Sequence, residues 1–240
     1  MTLIILILEK ETYKGNILHL MGQSVLLWCS YLRNNTCTEI LSESSLRFPI
    51  IECLERRTKA QDINIEHSHP SFKMRRMDMV WNMYENFYAL ELKYLKDYLS
   101  AAKAQLIYND VFRLSYSYID GYESYLLICG RKDDFKSALG KTKSYSRLQI
   151  IYPNIKKSST NSRLKKILSL NTNNPIKQMS FNKESNKEYK EFCETYQWKD
   201  NKRIMDPLSV RTELIYLSKD SEDAITHTVA IWKINVSNID

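Results

Sequence analysis

Three residues in two neighbouring segments have the types and the spacing for chemistry on phosphates. Asp78 lies in the segment 76–81 (RMDMVW), and Glu91 and Lys93 lie in the segment 87–94 (FYALELKY). Two carboxylates held close together repel each other unless a proton or a cation lies between them. A hard divalent ion such as Mg²⁺ prefers carboxylate and carbonyl oxygens, and it can lower the pKa of a bound water. Lys93 would orient or deprotonate that water, or stabilise the transition state as a cation. The chemistry indicated is metal-assisted phosphodiester cleavage.

Each segment alternates as a short strand does, and the two together predict a hairpin. Side chains in a strand point alternately to opposite faces. Glu91 and Lys93 therefore share one face with Ala89, and Asp78 shares a face with Arg76 and Val80. The opposite faces are apolar and would anchor the hairpin in a core. They carry Met77, Met79 and Trp81 in the first strand, and Tyr88, Leu90, Leu92 and Tyr94 in the second.

The position of the turn decides which residue faces Asp78. A turn at Tyr84-Glu85 places Asp78 opposite Glu91, with Cβ atoms roughly 4.5–5.5 Å apart. A turn one residue later places Asp78 opposite Lys93 instead. Neither turn has the Asn-Gly signature of a tight hairpin, so the sequence leaves both registers open. The competing interpretation is a surface hairpin whose acids and lysine form only salt bridges.

The two segments resemble the PD-(D/E)xK nuclease superfamily, which has the restriction-endonuclease-like fold. On that resemblance Asp78 is the first acid, Glu91 the second and Lys93 the lysine, while Met77 stands where the motif has proline. The resemblance implies metal ligands at Asp78, at Glu91 and at the backbone carbonyl of Leu92. It also implies a Mg²⁺ cofactor, for which Mn²⁺ can substitute.

The resemblance extends over roughly residues 40–130. The segment 42–47 (SESSLR) is similar to a helix that precedes the core, which implies Glu43 as a further metal ligand, with Glu52 and Glu55 as competitors. The segment 104–114 is similar to the helix after the lysine strand, which makes Gln105 a catalytic candidate. Asp110 and Arg113 are weaker candidates that could simply pair with each other. The segment 122–129 fits the next core strand.

Composition and charge are compatible with this interpretation. The chain has 240 residues, of which 43% are hydrophobic and 26% charged, and it carries a net charge of +7. A basic chain favours an acidic partner, first nucleic acid and second an anionic membrane surface. Five cysteines without a CxxC motif argue against a disulfide framework or a zinc ribbon, and they predict a reducing, cytoplasmic location. The apolar runs 3–8 and 25–32 are too short for a membrane span.

The remaining elements are predicted from periodicity. Residues 3–8 form a strand or a helix start, 22–32 form a helix that ends at Asn34-Asn35, and 38–57 form a helix that Pro49 kinks or splits. Further predictions are a strand at 62–66, a helix at 96–108, and strands at 122–129, 212–217 and 226–234. Residues 153–190 are rich in Lys, Ser and Asn and predict a long exposed loop with a short helix.

Other candidate sites have weaker patterns. His67 and His69, close to Glu66, have a possible metal-ligand spacing, although they more simply flank the strand before the hairpin. Asp62 and Glu66 approach the acids of the hairpin only if their strand adjoins Asp78. The basic tract 156–166 could contact phosphates, with Tyr145 and Tyr152 stacking on bases, or it could be a solvated loop.

The sequence therefore predicts an α/β protein with a central mixed sheet flanked by helices, in the restriction-endonuclease-like class. The predicted organisation is buried N-terminal elements at 1–38, a nuclease core at 39–152, and a basic loop with C-terminal strands at 153–240, packed on the same domain. The expected activity is that of a metal-dependent nuclease, an endonuclease or phosphodiesterase acting on DNA before RNA. The alternative is a non-catalytic nucleic-acid-binding or interaction protein with the same fold. The resemblance also implies dimerisation in many members, and no membrane partner is expected.

Overall fold

A computed structural model of the chain describes residues 2–35, 37–57, 60–96, 99–139, 159–199, 202–218 and 226–237. The helices are α1 (Thr2–Asn34), a 3₁₀ turn (Thr38–Ile40), α2 (Glu43–Arg57), α3 (Ala101–Ile119), α4 (Lys132–Leu139), α5 (Ser159–Ile167) and α6 (Lys187–Thr195). The strands are β1 (Gln61–Ser68), β2 (Arg76–Met83), β3 (Asn86–Leu95), β4 (Tyr122–Arg131), β5 (Ile176–Phe181), β6 (Leu208–Leu217) and β7 (His227–Val236).

The seven strands form one mixed sheet in the order β1-β2-β3-β4-β7-β6-β5. Strands β3 and β4 are parallel, and the other neighbouring pairs are antiparallel. A parallel pair needs a crossover connection, and α3 supplies it between β3 and β4. The predicted α/β class, with a central mixed sheet flanked by helices, is confirmed.

Each face of the sheet is covered by its own set of helices. Helices α3, α4, α5 and α6 contribute buried residues to one core, which contains Ala89, Phe112 and Trp232. Helices α1 and α2 contribute to the other core, which contains Trp81 and Leu90. Strand alternation explains the division, because Ala89 and Leu90 are neighbours in β3 and point to opposite faces. The sheet therefore has helices on both sides, and α3 is the helix that faces Glu91.

The hairpin turns at Tyr84 and Glu85, which removes the ambiguity of register. Both residues have positive φ, 51° and 67°, as a two-residue turn of type I′ requires. The paired residues of β2 and β3 sum to 169, from Met83 with Asn86 to Met79 with Leu90. This is the first of the two predicted registers, although the regular pairing ends at Met79 and Leu90, one position before Asp78 and Glu91.

Helix boundaries differ from the sequence predictions where a cap or a break was overlooked. Helix α1 continues unbroken to Asn34 and includes the segment 3–8. The predicted helix 38–57 is interrupted at Leu41 and Ser42, whereas Pro49 lies inside α2. The predicted helix 96–108 is wrong at both ends. Helix α3 begins after Ser100, whose side chain accepts a hydrogen bond from the Lys103 N–H, and it continues to Ile119 on a buried face.

The prediction of a long exposed loop at 153–190 is wrong for the part that the structure describes. This part forms α5, β5 and the start of α6, and it buries Leu164, Phe181 and Tyr189 completely. Few apolar residues occur there, but they occur at spacings that face a core. Strand β5 pairs with β6 at one edge of the sheet, so the C-terminal part of the chain extends the same sheet as the hairpin.

Among the described residues, no helix combines the length and the apolar character that crossing a bilayer requires.

Gly130 permits the close approach of β4 to β3. A Cβ atom at this position would lie 2.8 Å from the Leu95 carbonyl oxygen and 2.8 Å from the Leu95 Cβ. Backbone cannot yield as a flexible side chain can, so Gly130→Ala is expected to destabilise the fold by about 1–3 kcal/mol. Urea unfolding should show a lower midpoint at an unchanged m value. An unchanged midpoint would mean that the two strands separate without cost.

Candidate active site

Where the backbone pairing of β2 and β3 ends, a hydrogen bond to the Asp78 carboxylate continues to join the two strands. The last paired residues are Met79 and Leu90. One residue further along, Asp78 Oδ2 accepts a hydrogen bond from the Leu92 backbone N–H at 2.8 Å. The side chain thus replaces a backbone acceptor, and β2 and β3 are joined through the acid itself. This hydrogen bond fixes one carboxylate oxygen of Asp78 next to the Glu91–Lys93 segment.

The start of β2 departs from the predicted alternation. Met77 was expected on the face of Met79 and Trp81, but it lies in the core on the α3 side, where the Ser117 hydroxyl is 3.2 Å from its sulfur. Met79 and Trp81 lie in the opposite core, as predicted. The prediction for Met77 is wrong because regular pairing with β3 stops at Met79, and β2 is then no longer held to the pleat of its partner.

Helix α2 supplies the second anchor of Asp78. Arg47 Nη2 donates to Asp78 Oδ1 at 2.7 Å and also contacts the carboxylate of Glu66 in β1. Both Arg47 and Asp78 keep only 15% of their side-chain surface exposed. The sequence predicted that Glu66 would approach Asp78 only if the strands of the two residues were neighbours. Strand β1 does pair with β2, so Glu66 lies close to Asp78. Asp62 does not, since its carboxylate accepts a hydrogen bond from the side chain of Asn82.

Glu91 is buried on the α3 face of β3. Its Oε1 lies 3.1 Å from Nη2 of Arg113 in α3, and its side chain is 2% exposed. Burial raises the pKa of Glu91 well above its ordinary value of 4.5. The nearby charge of Arg113 opposes this shift, whereas the charges of Asp110 and Asp78 add to it. Burial therefore favours the protonated form of Glu91, and positive charge placed nearby favours the ionised form.

Lys93 lies between carboxylates from two helices. Its Nζ is 3.1 Å from Asp110 Oδ2 and 3.3 Å from Glu43 Oε2. Burial alone would lower the pKa of Lys93, but the charges of Asp110 and Glu43, followed by that of Glu91, outweigh burial and hold the pKa above its usual range. Lys93 is consequently a firmly protonated cation. This arrangement favours electrostatic stabilisation by Lys93 over proton abstraction.

Arg113 connects α3 to both strands of the hairpin. Its Nη2 contacts Asp110 and Glu91, and its Nη1 donates to the Arg76 backbone carbonyl at 2.8 Å. Asp110 and Arg113 do pair with each other, as the sequence suggested, but each also binds a residue of β3. The crossover helix therefore encloses the acid and the lysine of β3 from one side.

The assembled network contains more negative than positive side chains. The carboxylates are those of Glu43, Glu66, Asp78, Glu91 and Asp110, and the cations are Arg47, Lys93 and Arg113. Five carboxylates against three cations leave an excess of two negative charges when all are ionised. A proton on Glu91 removes part of the excess, and a bound divalent cation would remove it in full. Burial is the main cause of the raised pKa of Glu91, and the nearby acids Asp110 and Asp78 add to it.

The residues present fit a magnesium-type ion in charge and in ligand number. No group of three or more Asp, Glu, His or Cys side chains within the described ranges is arranged to hold a metal. Mg²⁺ needs fewer, since it usually keeps several waters and binds through one or two carboxylates. Glu91 Oε1 lies within ion-pair distance of Arg113, and Asp110 Oδ2 within that of Lys93, so a bound ion would share these oxygens with the two cations. The carbonyl of Leu92 as a ligand stays a prediction.

Gln105, which the resemblance made a catalytic candidate, makes its hydrogen bonds away from Asp78, Glu91 and Lys93. Its Nε2 donates to the Glu188 carbonyl at 3.0 Å and to Asn109 Oδ1 at 3.0 Å, so it ties α3 to α6. The competitors of Glu43 are also elsewhere. Glu52 pairs with Arg56 one turn along α2, and Glu55 is exposed. Of the three acids considered in α2, Glu43 alone contacts Lys93 in the structure.

The histidine pair offers no metal site. His69 is buried, its Nδ1 accepts from the Ser71 N–H at 3.0 Å, and its Nε2 lies 3.0 Å from the Arg113 carbonyl. Burial lowers the pKa of His69 to about 3, so the ring is neutral and structural. Tyr145, Tyr152 and residues 156–158 of the basic tract lie outside the described residues, and the rest of that tract enters α5.

Sequence reasoning missed Arg47 and identified Arg113 only as a weaker candidate that could pair with Asp110, although both cations position the acids. Arg47 stands four residues after Glu43, so the two lie on one face of α2, a spacing that could have identified it. Arg113 stands three residues after Asp110 in the same way. Neither spacing shows which strand the helix covers. That information comes only from the crossover through α3 and from the pairing of β1 with β2.

Comparison of the chain with protein-family models, with curated proteins and with solved structures finds no match. The family resemblance therefore depends on the hairpin residues themselves. Any functional conclusion has to come from the geometry and electrostatics of this site.

The raised pKa of Glu91 predicts a specific pH dependence of stability. Between 4.5 and its raised pKa, Glu91 binds more protons in the folded than in the unfolded state, so its contribution to the free energy of unfolding falls as pH rises. Urea midpoints measured between about pH 5 and 8 should decline less steeply for Glu91→Gln than for the unmodified chain. Glu55→Gln, at an exposed position of α2, is the matched control and should keep the original slope. Equal slopes in all three proteins would contradict a proton on buried Glu91.

Proposed function

We propose that this chain is a divalent-metal-dependent nuclease that hydrolyses phosphodiester bonds, with DNA preferred to RNA. The observation that carries the proposal is the hydrogen bond from the Leu92 N–H to Asp78 Oδ2, which holds this acid beside the part of β3 that contains Glu91 and Lys93. The order α2, hairpin, α3 and β4 also agrees with the elements that the PD-(D/E)xK resemblance implies. Assignment to that superfamily, and to its restriction-endonuclease-like fold, is part of the proposal.

In this proposal Asp78 and Glu91 hold Mg²⁺, with Glu43 as a further acid close by and Mn²⁺ as a substitute. The bound ion supplies a water of lowered pKa and offsets charge on the phosphate. Arg47 and the Leu92 N–H orient the two oxygens of Asp78. Lys93, kept protonated by Asp110 and Glu43, stabilises the negative charge that develops on the phosphoryl oxygens.

Charge distribution supports an anionic substrate. The chain as a whole carries +7, which attracts a polyanion from a distance, whereas the network around Asp78 is locally negative. A phosphodiester approaching these acids requires an intervening cation, and a divalent ion meets that requirement. The same arrangement would repel a phosphate in the absence of metal, so local charge makes the chemistry conditional on the ion.

One observation favours the alternative of a non-catalytic nucleic-acid-binding or interaction protein. Each acid of the network already has a protein cation within ion-pair distance, and Lys93 is held by Glu43 and Asp110. Such a closed network can stabilise a fold with no metal at all. The alternative predicts nucleic-acid binding without cleavage, whichever divalent metal is added.

Substitutions in the hairpin distinguish the two functions. Asp78→Asn and Lys93→Met should each lower the rate of Mg²⁺-dependent DNA cleavage by about 10²-fold or more, because each removes a charge aimed at the reacting phosphate. Plasmid and linear DNA, with RNA in parallel, provide the assay, and EDTA should stop cleavage by the unmodified chain. Glu55→Gln should cleave normally. Cleavage that survives both hairpin substitutions would eliminate this site as the catalytic centre.

Metal binding should release a proton from Glu91. A carboxylate must be deprotonated to bind metal, and the raised pKa of Glu91 means that its proton has to leave. Calorimetric titration with Mg²⁺ in two buffers of different ionisation enthalpy should therefore detect proton release by the unmodified chain. Glu91→Gln should show none, and Glu55→Gln should match the unmodified chain. Binding without proton release would place the ion away from Glu91.

A further inference from the structure

The connection between β1 and β2 presents one apolar side chain to solvent. Met74 is 96% exposed, the highest value among the exposed large hydrophobic residues, and its φ is +54°. A residue other than glycine rarely adopts this left-handed conformation. Such conformations persist where the surrounding structure imposes them, and they concentrate at ligand-contacting segments. The backbone therefore holds Met74 away from the core.

Hydrogen bonds hold this connection on both sides of Met74. The Lys73 N–H donates to the Gln197 carbonyl at 2.8 Å, and the His69 N–H donates to the Arg75 carbonyl at 2.8 Å. Phe72 is fully buried and forms a β-bridge with Trp198. The exposure of Met74 is thus a property of an anchored loop, not of a loose one. Because its backbone is anchored, the Met74 side chain can keep its position when it presses against a binding partner.

Basic residues surround the tip. Two cavities of about 330 and 280 Å³ meet at Met74 and Arg75. Their linings contribute the cations Lys73, Arg75, Arg76 and Lys199, and neither lining contains an acid. Asp120 is a carboxylate that contacts the loop, where it accepts a hydrogen bond from Ser71 and pairs with Lys202. The surface around Met74 therefore complements a polyanion.

A hydrogen bond and an ion pair, both made by Arg113, connect the loop to the proposed catalytic site. The Arg76 carbonyl accepts a hydrogen bond from Arg113, and Arg113 also pairs with Glu91. Asp78 follows Met74 by four positions in the sequence, so their Cα atoms lie at most about 14 Å apart. Base pairs in a duplex repeat every 3.4 Å or so. A duplex with its cleaved bond at Asp78 would thus present to Met74 a base step within about four base pairs.

We propose that Met74 is a wedge that enters the stack of a DNA duplex while the surrounding cations bind its phosphates. Apolar side chains, methionine among them, insert between base steps and kink the double helix in this way. The inference depends on the proposed nuclease function, and it specifies the substrate as a duplex distorted close to the cleaved bond. A single methionine buries too little apolar surface to hold the chain on an anionic bilayer, which also attracts cations.

Unstacking can be measured apart from cleavage. The full chain is mixed, in EDTA and again in Mg²⁺, with duplexes that carry 2-aminopurine at successive positions, because this base fluoresces more strongly when it is unstacked. The unmodified chain should raise the fluorescence at one base step, and Met74→Ala should lose that rise. Met74→Leu, which keeps an apolar side chain, should retain it. Leu27→Ala, which removes a 70% exposed apolar side chain from α1, is the matched control and should also retain it.

The salt dependence of duplex binding tests the phosphate contacts separately. Arg76→Ala should reduce the slope of log affinity against log salt concentration by about one, whereas Met74→Ala should leave the slope unchanged.

The inference is overturned if the rise persists in Met74→Ala, or if no position responds in a bound duplex. Absence of duplex binding also overturns it, as does a preference for phosphatidylserine vesicles over duplex. Cleavage without unstacking eliminates the wedge and leaves the nuclease. Unstacking without cleavage in Mg²⁺ supports the wedge and eliminates the nuclease.

Discussion

The burial of Glu91 against Arg113 is the constraint on which the arrangement of the site depends. A buried carboxylate must be neutralised or paired, because isolated charge in a protein interior is costly. Arg113 meets that need from α3, the crossover helix that connects the parallel strands β3 and β4. Asp110, on the same helix, reaches Lys93. The pairing of the buried acid therefore requires α3 to lie over β3, and the same position brings Asp110 to Lys93.

Burying ions is rarely a route to stability, since desolvation can exceed the attraction between the charges. A core of similar size built from apolar residues would cost less, yet this chain places Glu91 and Asp110 among its least exposed side chains. The excess of acids makes the network dependent on an added proton or cation. That dependence is a liability for a purely structural network, and it is a useful property for a site that is active only with a metal bound.

The sequence predicted the elements with strong local signals and failed where partners were distant. The alternation of residues 76–81 and 87–94 was sufficient to predict the hairpin, and the two-residue turn at Tyr84-Glu85 was one of two options. The switch of Met77 to the other core could not be predicted, because it depends on where backbone pairing stops. The contacts of Arg47 and Arg113 with the strands were likewise beyond prediction, since nothing local shows which strand a helix covers. Residues 159–195 form two helices and a strand but were predicted as a loop with one short helix, because a composition rich in Lys, Ser and Asn outweighed a few well-spaced apolar residues.

The sheet order has a consequence for synthesis of the chain. Strand β4 lies in the middle of the sheet, but β7, its neighbour on one side, begins about a hundred positions later in the sequence. During translation, β1 to β4 can pair while the outer edge of β4, with Leu126 and Ile128, has no strand beside it. An uncovered apolar edge is a template for pairing with another chain. Until β7 emerges from the ribosome, this edge of β4 can pair with another chain, and the nascent protein is prone to aggregation.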